Sequence, residues 1–284
     1  MKTIIIGIDC STNPRNVGYS VYDYTNRVFI GSMSGQANVS DRLREMVLMP
    51  TNYNYLKTTT GFHVIITPAS NIVNKNLRNK LTTNATDYGV NGGFFYPVST
   101  VNAPTEGLSI AITPGDTNDR EVNGGSKRLS RGTAIVYRDP SDGNKYKMAI
   151  TRAVDVADIK KQFGTSITYQ LMFGGGSLSL RKTESVWLDE LQNIEKFDLN
   201  ATLRQNDSTG RTGLGFRVID GVWKAYLVFH ESATLKELRN FMKDMCECYE
   251  AIILDGGGSS GIQVKEDNGN LIKVDMEPFQ LRRS

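Results

Sequence analysis

Apolar residues fall in short runs and two-residue alternations along most of this chain, and helical periodicity is concentrated in one place. Residues 3–8 (TIIIGI) and 17–23 (VGYSVYD) read as strands bracketing a turn at Asn13-Pro14-Arg15-Asn16, and 61–68 (GFHVIITP) as another. In 106–116 (EGLSIAITPGD), Leu108, Ile110 and Ile112 alternate as a half-buried strand does. Hairpin signals dominate after residue 132. One spans 133–150 across Pro140-Ser141-Asp142-Gly143, and a second spans 214–229 with Asp220-Gly221 between two β-rich runs. A third, weaker signal surrounds Asn268-Gly269. Ile252, Ile253 and Leu254 leave no polar side for water, so they predict a strand buried on both faces that ends at Asp255.

The strongest helix is predicted over 234–249. Thr234 and Glu237 have capping-box spacing, and Leu235, Leu238, Met242 and Met245 form an apolar stripe that should pack on the sheet presenting Asp255. Cys246 and Cys248, two apart on such a helix, would point to different sides. Weaker helical patterns lie at 41–48 and at 71–81, where Ile72, Asn76 and Leu77 have helical spacing. Residues 114–131 are polar and glycine-rich without a period and read as a long loop. Strands outnumber helices and hairpins outnumber crossovers. The predicted class is therefore α+β, with a mixed, mostly antiparallel sheet core and a few packed helices.

A chain of 284 residues, 39% hydrophobic and 22% charged, can bury a full-sized core and carries no membrane-length apolar run. Its net charge of +3 implies no nucleic-acid partner by itself. Three cysteines argue against a disulfide framework, and with only His63 and His230 beside them a closed zinc site is disfavoured. Both histidines are better explained as structurally satisfied groups than as catalysts. The N-terminal apolar run is cut by Gly7 and Asp9, too short for a secretory signal, so a cytoplasmic or phage-particle location is expected.

Candidate chemistry lies in four glycine-rich stretches. In 251–262 (AIILDGGGSSGI), Gly256, Gly257 and Gly258 follow a carboxylate, and their backbone entropy cost suggests a bare loop that a ligand approaches, aided by Ser259. A tight turn is the bland alternative. In 89–97 (GVNGGFFYP), Asn91, Gly92, Gly93 and Phe95 combine a polar side chain, open backbone and an aromatic wall suited to a sugar ring. Gly175 and Gly176 follow another apolar run, and Arg211 and Thr212 lie in 208–216 (STGRTGLGF), arginine being the preferred bidentate partner of phosphate.

Together these stretches resemble the phosphodiester glycosidase family, the domain type of the uncovering enzyme, N-acetylglucosamine-1-phosphodiester α-N-acetylglucosaminidase. An NGGFF-like segment (91–95), an RT-x-x-G segment (211–215), a helix from 234 and a terminal LDGGGS (254–259) occur in the family's order over roughly residues 53–265. The resemblance implies hydrolysis of a sugar-1-phosphate diester at the anomeric C–O bond. Asp255 would act at the sugar as nucleophile, base or hydroxyl-orienting group. Arg211 and the glycine amides would hold phosphate, and Asn91 would contact substrate. Glu106 is the first candidate for a second carboxylate, with Asp116 behind it. The implied ligand is a phosphorylated carbohydrate, with no nucleic acid, membrane or cofactor required, although a divalent metal stays open. The expected organisation is a domain over 51–284 preceded by accessory strands in 1–50. Two other readings remain: a binding or sequestering protein for phosphorylated sugars or nucleotide-derived ligands, including one of phage origin, and a metal-dependent nuclease. The latter follows because 5–23 (IIGIDCSTNPRNVGYSVYD) resembles the opening hairpin of RNase H-like and RuvC-like nucleases or sugar-kinase folds, in which Asp9 would bind metal.

Overall fold

The computed structural model describes residues 53–75, 77, 81–95, 108–113, 120–266 and 268–276 in full, and the backbone of 4–10, 17–23 and 28–35. The first strands are β1 (Ile4–Cys10), β2 (Val17–Asp23), β3 (Val28–Gly35), β4 (Asn54–Lys57), β5 (His63–Pro68), β6 (Gly89–Val90) and β7 (Ala111–Ile112). There follow β8 (Arg131–Arg138), β9 (Tyr146–Ala153), helix α1 (Val156–Phe163), β10 (Thr168–Gly174), β11 (Gly176–Ser177) and helix α2 (Glu184–Asp189). The last part holds β12 (Thr209–Ile219), β13 (Val222–Ala233), helix α3 (Leu235–Asn240), β14 (Glu250–Ile253), β15 (Gly261–Lys265) and β16 (Leu271–Asp275).

The strands form four sheets: β1-β2-β3, β11-β14-β12-β13-β5-β4, β7-β10-β8-β9 and β16-β15-β6. Every pairing recorded among them is antiparallel, which makes the fold α+β with an antiparallel core. The six-stranded sheet is central. One of its faces carries Tyr226, Val228, Ala251 and Ile253 against Leu235, Leu238, Met242 and Trp187 from the helices. Its other face divides between the two smaller sheets: Leu214, Phe216 and Ile252 meet Val136, Leu171 and Phe173, while Ile65 and Phe229 meet Ile262 and Val264. The β12–β13 hairpin turns on Asp220 (φ 50) and Gly221 (φ 77). Two successive left-handed residues are what a two-residue hairpin turn needs to match the strands' twist. As the apolar run predicts, β14 is buried on both faces, residues 251–254 being at most 2% exposed, and it lies between β11 and β12 in the sheet.

The main helix departs from its sequence pattern. Its capping box forms, with Glu237 N donating to Thr234 Oγ1 at 3.1 Å and Thr234 N to Glu237 Oε2 at 2.7 Å. After Asn240, however, it continues as a π-helical turn over Phe241–Met245, where Cys246 N donates to Phe241 O at 3.0 Å. One extra residue per turn rotates the apolar stripe. Met245 is consequently 71% exposed and Cys246 takes its inward place. The expectation for the cysteines is corrected too: Cys246 and Cys248 face the same core cluster, because Glu247 between them has a left-handed φ of 49 outside any helix. Met242 itself seats on β12 where two glycines leave a groove. A Cβ on Gly213 or Gly215 would lie 2.7 Å from its Sδ or Cε.

Two further expectations are revised. Among the described residues of 106–116, only Ala111–Ile112 is strand, and Ile110 is fully buried. The chain bends at 108–109 because Ser109 Oγ turns to accept from Phe94 N at 3.2 Å and Ile110 N turns to the Asn123 amide at 2.9 Å. No helix forms among the described residues of 71–81 beyond a single 3-10 turn at Ala69–Asn71. There Asn74 N is taken by Thr113 Oγ1 at 2.9 Å, so its backbone binds a neighbouring segment. The pattern at 41–48 lies outside the described residues.

Candidate active site

Asp255 leaves the end of β14 and enters a one-turn 3-10 helix at Gly257–Ser259, whose first residue has φ +62, a left-handed conformation that favours glycine. The NGGFF segment reaches it from β6. Asp255 N donates to Gly92 O at 3.1 Å, and Asn91 Nδ2 donates to Asp255 O at 2.8 Å. The RT segment completes the junction: Thr212 Oγ1 donates to Asn91 Oδ1 at 2.6 Å, and Leu254 N donates to Thr212 O at 2.9 Å. Three segments separated by up to 164 positions thus meet at one point.

Asp255 as a residue is half-buried, but its carboxyl sits in dehydrating surroundings. Burial pushes its pKa up to about 6, against hydrogen bonds from Gly256 N and the Ser259 side chain that favour the anion. Gly256 N lies 2.9 Å from Asp255 Oδ1 and is thereby engaged. The N–H groups of Gly257 and Gly258 have no recorded acceptor among the described residues. A carboxyl that titrates near neutrality beside open backbone donors can exchange a proton next to a bound anion.

Arg211 is 2% exposed, and its guanidinium is largely occupied by backbone oxygens. Nε donates to Ala233 O (3.0 Å), Nη1 to Leu203 O (2.7 Å), and Nη2 to Arg204 O (2.6 Å) and Asp207 O (3.1 Å). Four of its five donors therefore brace the 203–207 loop and the end of β13. Nη1 faces the site loop, 3.8 Å from where a Gly256 Cβ would stand. Burial lowers the Arg211 pKa to about 10, with Arg204 adding to the effect.

The remaining predicted residues divide by location. Gly92 is exposed beside Asn91, and Gly93 packs so closely that a Cβ would sit 2.6 Å from Gly174 O. Phe95 is half-buried, while its neighbour Phe94 is in the core against Phe197, ring centroids 5.1 Å apart. Gly175 precedes and Gly176 begins β11, beside β14. A Cβ would fall 2.2 Å from Ile253 O at the first and 3.0 Å from Phe197 Cε2 at the second, so close packing by backbone at one and by side chains at the other accounts for both glycines. Glu106 and Asp116 lie outside the described residues, as does the Asp9 side chain. His230 is satisfied at both nitrogens, by Thr60 O (2.9 Å) and Ser232 N (2.9 Å). His63 bonds Tyr55 Oη through Nδ1 at 2.8 Å, but its buried Nε2 has no hydrogen-bond partner among the described residues.

Sequence reasoning missed a buried charged network behind the sheets. Fully buried Glu195 accepts from Arg152 Nε (2.7 Å), Gly132 N (3.1 Å) and Ser177 N (3.1 Å). Glu190 accepts from Arg152 Nη2 (2.8 Å), Ser179 Oγ (3.1 Å) and Lys182. Burial works to raise the Glu190 pKa, but Arg152 and Lys182 prevail and hold it at about 2. No spacing motif links positions 132 to 195, so only the fold reveals them. Among the described residues no cluster of three or more His, Cys, Asp or Glu could hold a metal ion, and no helix is long and apolar enough to cross a membrane.

A model of the phosphodiester glycosidase family matches residues 84–282, which spans the NGGFF, RT and LDGGGS segments just described. The chain belongs to this family. Among solved structures, a similar one is the catalytic domain of zebrafish N-acetylglucosamine-1-phosphodiester α-N-acetylglucosaminidase, auto-inhibited by its pro-peptide. It is 18% identical, with 97% of this chain and 76% of that chain covered at a TM-score of 0.41. No curated protein matches this sequence.

Proposed function

We propose that this protein hydrolyses the glycosidic C–O bond of a sugar-1-phosphate diester, releasing the sugar and a phosphomonoester. The observation that carries the reading is the junction of Asn91, Thr212 and Asp255 in a phosphodiester glycosidase chain, with the Asp255 carboxyl raised to about 6. At neutral pH its anion takes a proton from the water that attacks the anomeric carbon. The C–O bond breaks with its electron pair leaving on the phosphate. Because phosphate leaves readily as an anion, protonation by a strong acid is less needed than for an ordinary glycoside. The Gly257 and Gly258 amides suit the phosphate oxygens, and the Arg211 charge behind Gly256 adds to the local positive field. Glu106 remains our candidate for a second carboxylate. Residues 51–284 would carry the activity, and 1–50 would be accessory.

The test is incubation with a sugar-1-phosphate diester, following reducing sugar and phosphomonoester together. Both should appear in equal amounts, and Asp255→Asn should abolish them while the fold persists. Ligand bound but recovered intact would replace the enzyme with the binding-protein reading. Near-normal turnover by Asp255→Asn would remove that residue from the reaction.

A further inference from the structure

We infer that Asn91 is a positioning residue for Asp255, acting through the peptide group between Asp255 and Gly256 and making no contact with substrate. The inference rests on the hydrolase reading for its kinetic part and on geometry alone for the rest.

The Asn91 side chain is buried and its hydrogen-bonding capacity is filled. Oδ1 accepts from Thr212 Oγ1 (2.6 Å) and Gly261 N (3.1 Å), using both lone pairs. Nδ2 donates to Asp255 O (2.8 Å) and Gly92 O (3.3 Å), using both hydrogens. Nothing remains for a sugar hydroxyl or a phosphate oxygen.

What these bonds hold is informative. The carbonyl of Asp255 and the N–H of Gly256 are two ends of one rigid, planar group. Asn91 grips the carbonyl end, and the other end then points at Asp255 Oδ1, 2.9 Å away. Asp255 N is fixed separately on Gly92 O at 3.1 Å. Beyond the plane lie glycines, which offer little resistance to rotation, so the grip on the carbonyl keeps the amide aimed at the carboxylate. Releasing it would free the plane to turn, remove a donor from the anion and let the reactive oxygen wander. Thr212 is the next link, because its hydroxyl orients the Asn91 amide. The Ser259 side chain also bonds the carboxyl, and across Gly256 stands the Arg211 guanidinium with Arg204 and Asp207 beside it.

The experiment follows the Asp255 carboxyl by 13C NMR titration in full-length protein, with Asp255→Asn used to assign its signal. Asn91→Ala and the near-isosteric Thr212→Val are compared with the native chain, and circular dichroism confirms the fold. Thr212→Val keeps the test available should Asn91→Ala fail to fold. Loss of the Gly256 donor predicts an upward shift of the midpoint by about half a unit or more in Asn91→Ala and a smaller one in Thr212→Val. The acid limb of the rate profile should move by the same amount, and kcat should drop on the order of tenfold to a hundredfold with KM little changed. An unchanged midpoint in folded variants overturns the inference. So does a raised KM with kcat and midpoint intact, since that is the signature of a substrate ligand. The titration needs no substrate, so it decides the inference even if the native protein hydrolyses nothing.

Discussion

Replacing Asp255 by asparagine should stabilise the protein at neutral pH while destroying its proposed activity. The carboxyl's ordinary pKa of 3.8 rises to about 6 on folding, so between these values the folded state binds more protons than the unfolded state. Stability from this group is fully present below about pH 4 and declines as pH rises to about 6. The penalty at pH 7 is roughly two pKa units, or about 3 kcal/mol. Asparagine keeps an acceptor for Gly256 N and carries no charge, so it should recover much of that. For a chain of this size the gain corresponds to roughly 5 °C in melting temperature. His63 runs the other way: burial first, with Lys57 and His230 adding, lowers its pKa from 6.5 to about 4. Between those values the unfolded state binds the extra proton, and acidification costs about 3 kcal/mol. The two slopes nearly cancel in the native chain between about pH 4 and 6. Asp255→Asn should expose the His63 slope, being more stable than the native chain at pH 7 and matching it near pH 4. Urea unfolding at pH 4, 5, 6, 7 and 8 reads both effects. A variant less stable at pH 7, or a difference that stays constant across the range, would refute the claim that Asp255 is a desolvated carboxylate.

Three other outcomes are expected. Met242→Ala should cost about 3 kcal/mol in urea unfolding and Met245→Ala less than about 0.5 kcal/mol, because the π-helical turn buries the first and exposes the second. Arg211→Lys should destabilise by about 3 kcal/mol, since one ammonium cannot reach the carbonyls of Leu203, Arg204, Asp207 and Ala233 together. A thermal melt within about 2 °C of native would contradict the bracing role. Gly175→Ala places a methyl 2.2 Å from Ile253 O, a backbone atom, and should lower stability by about 3 kcal/mol or prevent folding, as soluble expression and unfolding would show.

Much of the architecture was legible because its signals are local. Asp220-Gly221 and Asn268-Gly269 specify turns through backbone conformations that few other residues adopt, and the hairpins form there. The unbroken apolar run at 251–254 marked a strand buried on both faces. Features fixed by tertiary contact were not readable. The π-helical turn that buries Cys246 arises where the helix docks into the groove over Gly213 and Gly215, and no periodicity encodes it. Two triple-glycine clusters look alike on paper, yet 174–176 answers to close packing where the chain passes from β10 to β11 and 256–258 to the turn after Asp255. The meeting of the NGGFF, RT and LDGGGS segments was accessible only through family resemblance, because their partners are over a hundred positions apart. That Arg211 is committed to backbone oxygens had no sequence signal.

Arg211 has a counterpart in Arg239, which donates to the carbonyls of Leu178 (2.9 Å), Ser179 (3.0 Å) and Lys182 (2.5 Å). In each case an irregular loop is held by its main chain, through a group every amino acid supplies. The exposed positions of such loops are free to drift in composition over evolutionary time while keeping their course, since replacing a side chain there leaves the anchoring oxygen in place; the core residues Leu178, Leu180 and Leu203 are not. The burden of constancy falls on the two arginines. Among relatives of this protein, variation at the exposed positions Arg181, Arg204, Asn206 and Asp207 should therefore coexist with an unchanging guanidinium at each hub, and a saturation library would display the same contrast.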